Sequence, residues 1–466
     1  MELKDTKRVY FVGIGGIGMA ALARYYLSLG LPVAGYDRTP SALTGELVAE
    51  GATVSYDDSM GAVPEAFRKP EGTLVVFTPA VPEDNVPLKF FREGGFTVRK
   101  RAWVLGQITR SSRSLCFSGT HGKTSSTAMA AHILHLSPAG CNAFVGGIMN
   151  NYGSNLILDP GTEFSVVEAD EYDRSFHQLT PWIAIVNATD PDHLDIYGTE
   201  EAYLESFAHF TELIRAGGAL LVHTGLKLKP RAPKDVRTYT FGRGEGDYRA
   251  DNIRTADGRM YFDFTGPKGT IRDIELGVPV DVNVDNATGA LAAADLAGVL
   301  TPELARRAMA SFAGVERRFE FHLRESGPDG RVIIDDYAHH PDEIRRSIES
   351  VRALYPGRRL TVAFQPHLYS RTRDFAPHFA AALDGADEVI LTDLYPAREE
   401  PIPGVSSKII FDRLKTPEKM LIRKEDFVDT LKNRKFEVLL TLGAGNLSLL
   451  VPELARAVGA PDTCRS

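Results

Sequence analysis

The feature that most constrains this 466-residue chain is an alternation of short apolar runs with longer stretches of helical apolar spacing. Arg8–Val12 is one such run, Met19–Leu29 has helical spacing, Leu31–Gly35 is a second run, and Thr73–Thr78 repeats the signal. Strands separated by helices pair in parallel, because a parallel pair needs a crossover, and the crossover helices cover the sheet. The polar, basic stretch Arg110–Ser114 interrupts the pattern, and a domain boundary is expected there. The alternation restarts with Leu115–Phe117 and the helix Lys123–Leu136, then runs on through Phe164–Val167, Ile183–Val186 and the helix Glu200–Ile214. Between about Arg237 and Val280 it gives way to period-two segments such as DGRMYFDF, which read as antiparallel hairpins. The helix Asn286–Val299 closes that unit. From Gly314 a third alternation begins, with strands Val332–Ile334, Leu360–Phe364, Glu388–Leu391 and Glu437–Leu442 and helical stretches such as Asp342–Tyr355. The expected fold is α/β, with three α/β domains in series at 1–110, 111–313 and 314–466. That agrees with about 150 residues per domain.

Composition narrows the partners. A formal charge of −8 argues against nucleic acid, which usually needs a basic face. The start, MELKDTKRVYFVG, has acids and bases before one short strand and does not read as a signal peptide. No apolar run reaches the ~18 residues of a membrane helix. Cys116, Cys141 and Cys464 lack metal-ligand spacing and are too few for a disulfide framework. A cytoplasmic protein is expected, with no membrane partner.

Two glycine-rich turns follow strands and open helices. Gly13-x-Gly15-x-x-Gly18 comes after Arg8–Val12, and Asp37 stands nineteen residues beyond Gly18 at the end of the next strand. In that context the glycines let backbone approach a pyrophosphate at a helix N-terminus, and the acid takes a ribose hydroxyl. Which nucleotide is bound does not follow from the motif; NAD is the default. The second turn, Gly119-Thr120-His121-Gly122-Lys123-Thr124, offers amides to phosphate oxygens, a lysine to the β- and γ-phosphates, and a hydroxyl to Mg²⁺. It departs from the commonest P-loop, since Phe117 rather than glycine stands six residues before Lys123.

One hydroxyl does not hold Mg²⁺, which prefers carboxylates and water. Glu168 lies where the strand Phe164–Val167 runs out into EADEYD, the place at which a second-strand acid meets a P-loop metal. His193, in DPDHLD after Ile183–Val186, is either a further ligand or a structural histidine on the edge where α/β sites form.

Taken together the chain resembles the Mur ligase family. The resemblance rests on GIGGIGM, GTHGKT, EADE, DPDHLD, NVDNATGALAA (Asn283–Ala293), GVERRFE (Gly314–Glu320), DDYAHHP (Asp335–Pro341), FQPHLYSRTRDF (Phe364–Phe375) and GAGN (Gly443–Asn446). It implies a Rossmann-like UDP-binding domain at 1–110, a central P-loop ATPase-like domain with a small antiparallel addition at 111–313, and a Rossmann-like amino-acid-binding domain at 314–466. It also implies ATP-dependent joining of L-alanine to UDP-N-acetylmuramate through an acyl phosphate, with Mg²⁺, in a monomer or homodimer. One cradle would then hold UDP and the other ATP. By the same resemblance Gly15, Gly16, Ile17, Gly18, Asp37, Thr78 and Arg101 bind the UDP-sugar. Gly119 to Thr124 with Ser125, Asn283, Asn286 and Arg318 bind ATP; Thr124, Glu168 and His193 hold the metal. Lys123, Tyr337, His339 and Arg371 serve the reaction, His339 as base or as an orienting group.

Three departures stand out. Val282 replaces a histidine common in relatives, and Leu368 an arginine. No lysine lies between Lys123 and Lys227, so the carbamylated lysine that bridges a second metal in some sister ligases has no counterpart. The rival within the family attaches a whole tripeptide to the same sugar acid; FQPHLYSRTRD and GVERRFE look more like the alanine-adding type. Folylpolyglutamate synthetases share the P-loop style but would lack the GIGGIGM domain. An NAD-dependent dehydrogenase would leave the metal set without purpose, and a nucleotide-binding regulator would leave the DDYAHHP and SRTRD clusters unused.

Overall fold

The computed structural model describes residues 5–459 other than 79, 192–193, 257, 326, 328–329 and 398. Three sheets follow one another along the chain. The first holds β1 (Arg8–Val12), β2 (Val33–Tyr36), β3 (Thr53–Ser55), β4 (Thr73–Phe77) and β5 (Thr97–Lys100) in the order β3-β2-β1-β4-β5. All four pairings are parallel. β1 is apolar on both faces, as a covered parallel strand must be. Val9 and Phe11 pack with the helix Ile17–Ser28, while Tyr10 and Val12 join Phe67, Leu88 and Phe91 on the other side.

The second sheet has ten strands. They are β6 (Arg113–Ser118), β7 (Asn142–Met149), β8 (Ser154–Ile157), β9 (Phe164–Glu168), β10 (Ile183–Val186), β11 (Ala219–His223), β12 (Arg237–Arg243), β13 (Tyr248–Ala256), β14 (Arg259–Gly266) and β15 (Gly269–Leu276), ordered β15-β14-β13-β12-β11-β10-β6-β9-β7-β8. Hairpins were expected from Arg237 onward, but β12 pairs in parallel with both β11 and β13. Only two residues join β14 to β15, too few for a parallel crossover. The boundary stretch Arg110–Ser114 is ordered: the helix Arg101–Ser111 runs into it and β6 starts at Arg113.

The third sheet contains β16 (Glu320–Arg324), β17 (Val332–Asp336), β18 (Leu360–Phe364), β19 (Glu388–Leu391), β20 (Glu418–Leu421) and β21 (Val438–Leu442), ordered β16-β17-β21-β18-β19-β20. Only β16 runs antiparallel to its neighbour. Ile333, Ala363, Ile390 and Leu439 form one buried face of it.

Contacts group the chain into two compact units. The first comprises 1–252, 262–274 and 282–312; the second comprises 253–261, 275–281 and 313–466.

Candidate active site

In the first unit the chain leaves β1 into the turn Gly13–Gly16 and enters the helix Ile17–Ser28 with Gly16 as N-cap. No side chain caps this helix, so its first amides point at the turn unanswered by a cap. Asp37 follows β2, and its Oδ2 accepts from the Gly15 amide at 2.7 Å while Oδ1 accepts from Thr39 N–H. Thr78, just past β4, lies so close to Gly13 that a Cβ there would come within 2.8 Å of its methyl. Arg101, the first residue of its helix, lies over Gly18: a Cβ at Gly18 would approach the guanidinium to 2.8 Å. Only glycine leaves room for a cation this close to the helix start. The Ile17 carbonyl accepts from Asn155 Nδ2 at 2.9 Å, so a β8 residue closes one side of the turn.

The second turn joins β6 to the helix Lys123–Leu136. That helix packs against Val282–Leu296, and both are buried almost all round, as small residues such as Ala290, Ala292 and Ala293 permit. Close packing brings Asn286 to the turn. Its Oδ1 accepts from Ser126 at 3.1 Å, its Nδ2 donates to Asn283 Oδ1 at 2.9 Å, and Asn187 donates to Ser126 at 3.0 Å. Gly122 caps the helix at φ +79, and a Cβ there would collide with Asn286 at 2.4 Å. Both the left-handed backbone and the lack of space require glycine.

Lys123 Nζ donates to Gly119 O at 2.6 Å, Thr120 O at 3.3 Å and Glu171 Oε1 at 2.7 Å. Thr124 Oγ1 donates to Glu168 Oε1 at 3.0 Å, and Glu168 Oε2 accepts from the Gly146 amide at 2.8 Å. Desolvation raises the Glu168 carboxyl above its usual range, with Lys123, Gly146 and Thr124 pulling the other way. Two hard oxygen donors therefore meet beside a helix N-terminus, where burial makes a carboxylate seek a cation. The pair fits Mg²⁺ chemistry. His193 lies outside the described residues. Among the described residues no group of three or more His, Cys, Asp or Glu side chains is arranged to hold a metal. Ser125 is the third residue of the helix, and His121 is the exposed residue of the turn.

The second unit gathers another set. Arg317 and Arg318 carry their guanidinium groups 4.7 and 5.0 Å from the Tyr337 ring centroid. Arg317 is anchored by Gly443 O and Gly445 O at 2.7 and 3.0 Å. His339 Nδ1 lies 3.0 Å from the Tyr337 carbonyl, which can only accept, so the proton sits on Nδ1 and Nε2 keeps its lone pair. Desolvation lowers the His339 pKa, keeping the ring neutral, against the opposing pull of Glu343. The His367 ring is 6.4 Å away, stacked on Tyr395, and burial lowers its pKa to about 4. Arg371 lies in the first turn of the helix Tyr369–Leu383 and has no hydrogen bond or ion pair among the described residues. Leu368 precedes that helix at φ +68, ψ 137, strained for a residue with a side chain.

Comparison with known proteins places this geometry. Residues 8–113 match the Mur ligase family catalytic domain, 117–294 the Mur ligase middle domain, and 317–445 the Mur ligase glutamate ligase domain. The chain belongs to the Mur ligase family. Among its Mur ligase relatives, the UDP-N-acetylmuramate–L-alanine ligase of Parabacteroides distasonis is 56% identical over 452 residues, 97% of each chain. That of Phocaeicola vulgatus is 53% identical over 455 residues, 97% of this chain and 98% of its own. The crystal structure of the UDP-N-acetylmuramate–alanine ligase of Thermotoga maritima superposes with a TM-score of 0.78 at 27% identity. It covers 97% of this chain and 98% of its own.

In this Mur ligase the first unit brings together all seven residues expected around the first turn or directly behind it, and, His193 aside, those expected around the second turn. Arg318, Tyr337, His339 and Arg371 lie in the second unit. Sequence reasoning missed Glu171, Asn155 and Asn187. Glu171 was in view within EADEYD, yet nothing in the motif distinguishes an acid facing the lysine from one facing solvent.

Proposed function

We infer that this protein joins L-alanine to the carboxylate of UDP-N-acetylmuramate, with ATP as the energy source, in the synthesis of peptidoglycan precursors. The observation that carries the reading is the pairing of two helix-opening glycine turns in one compact unit with a P-loop lysine at the second, in a chain more than half identical to L-alanine-adding relatives. The first turn takes the UDP diphosphate, with Arg101 adding positive charge beside Gly18. The second takes the ATP phosphates. The family matches at 8–113, 117–294 and 317–445 support domains at 1–110, 111–313 and 314–466 for UDP-sugar, ATP and amino acid.

A carboxylate does not form an amide at neutral pH, because oxide is too poor a leaving group. Phosphorylation by ATP makes that oxygen part of a good leaving group, and the amine of L-alanine then displaces it. Two anions must first meet, so the site has to neutralise charge, and Lys123 does so at the phosphates. Mg²⁺ would be held by Thr124 and Glu168, with His193 as a third ligand, and would supply charge neutralisation among the phosphates. Arg318 and Arg371 are guanidinium groups without an ion pair among the described residues, suited to a phosphate and to the L-alanine carboxylate respectively. Tyr337 orients Arg318 through its ring face. His339 is neutral with Nε2 open, as a base for the ammonium of L-alanine requires.

No described helix is long and apolar enough to cross a membrane, in keeping with a cytoplasmic enzyme that draws on soluble substrates.

Isotope transfer tests the mechanism. With ¹⁸O in the carboxylate of UDP-N-acetylmuramate, each phosphate released during L-alanine addition should carry one ¹⁸O. Phosphate free of label would mean that the carboxylate is never phosphorylated.

A further inference from the structure

The loop after β9 contains three acids, each facing a cation. Asp170 lies 3.8 Å from Arg101, Asp173 is 3.2 Å from Lys100, and Glu171 is 2.7 Å from Lys123. The outer two pairs are partly exposed and weak. The middle one is different, because the Glu171 side chain is 1% exposed. We propose that Glu171 is a positioning residue for Lys123, fixing one of its three N–H bonds so that the other two point at the nucleotide phosphates. The proposal rests on the reading of Lys123 as the ATP-phosphate lysine.

The loop cannot follow the lysine. Arg174 N–H donates to Glu171 O at 2.9 Å, Phe176 N–H to Asp170 O at 2.9 Å, and the Tyr197 hydroxyl also donates to Glu171 O. Asp173 and Arg174 sit in succession at φ 55 and 54, a left-handed pair that persists only where the surroundings hold it. The Arg174 guanidinium lies 4.8 Å over the Tyr197 ring. Withdrawing Lys123 from this fixed carboxylate would leave a buried charge uncompensated, which is strongly unfavourable. The Gly119 and Thr120 carbonyls are neutral and lose far less when a phosphate takes their place. Phosphate therefore displaces the carbonyls and Glu171 stays, setting the direction of the ammonium.

Glu171→Gln keeps the shape and removes the charge. Steady-state kinetics should give a kcat reduced about tenfold or more, with KM for UDP-N-acetylmuramate and for L-alanine within about twofold of wild type. Calorimetry should show the preference for a non-hydrolysable ATP analogue over ADP lost, with ADP affinity kept. Glu171→Asp draws the charge back by one methylene; it should give the same pattern in smaller measure, and it serves if the amide variant does not fold. An unchanged kcat, tighter binding of both nucleotides, or losses spread evenly over all substrates would each overturn the proposal. Lys123→Ala, assayed alongside, separates the two claims: if it turns over normally, the phosphate role of Lys123 fails; if it is inactive while Glu171→Gln is normal, only the positioning role does.

Discussion

The Thr124 hydroxyl donates to Glu168 Oε1 at 3.0 Å, tying the first turn of the P-loop helix to the end of β9. Both oxygens are hard donors, and desolvation holds the Glu168 carboxyl above its ordinary range even with Lys123 nearby. Glu168→Ala should raise the Mg²⁺ concentration for half-maximal rate by about tenfold or more, and Thr124→Val should do so less. His193→Ala belongs in the same titration. If it keeps the wild-type Mg²⁺ dependence, the histidine is structural.

Lys123→Ala should lower turnover by about a hundredfold or more and leave the affinity for UDP-N-acetylmuramate nearly intact. Among the described residues the lysine bonds to Gly119, Thr120 and Glu171, none of which belongs to the Gly13–Gly18 turn. Titration calorimetry on the variant checks this. Equal loss of sugar-nucleotide binding would mean the turns are not separate sites.

Arg371→Lys should raise KM for L-alanine by about tenfold and leave KM for ATP little changed. A guanidinium with no ion pair among the described residues can meet a carboxylate with two parallel bonds, which a lysine point charge cannot. Initial-rate measurements varying each substrate in turn decide it.

Asp335 supplies a test of stability. It is 3% exposed beside Thr441, and burial lifts its carboxyl to about 7. The folded state therefore holds the proton more tightly than the unfolded chain, where the usual value is ~3.9. Its contribution is fully present below that value and is lost as pH rises through about 7. Asp335→Asn keeps the polar contact with Thr441 and cannot ionise. Its Tm relative to wild type should be more favourable at pH 8.5 than at pH 5.5, and a difference independent of pH would remove the assignment.

How much of this was legible follows from what each signal encodes. The strands showed because they are apolar on both faces, as in Val9–Val12 and Val438–Leu442. The glycine turns showed because backbone dictates them, as φ +79 and the crowding by Asn286 do at Gly122. The parallel pairing of β12 with β11 and β13 did not, since alternation reports which faces are wet and says nothing of strand direction. Helix ends drifted for a local reason: the polar run Arg110–Ser114 reads as a break, yet Arg110 and Ser111 still belong to a helix. Glu171 could not be singled out, because its importance lies in a contact 48 residues distant in sequence. The Nδ1–H form of His339 likewise depends on where the Tyr337 carbonyl points.

The most direct test of the central claim is the initial rate of phosphate release with ATP and UDP-N-acetylmuramate, offering in turn L-alanine, glycine and the tripeptide L-alanyl-γ-D-glutamyl-diaminopimelate. L-Alanine should be preferred to glycine by the ~1–3 kcal/mol that one methyl group supplies, and the tripeptide should give no release above background. Faster turnover with the tripeptide would contradict the alanine-adding assignment while leaving membership of the family intact.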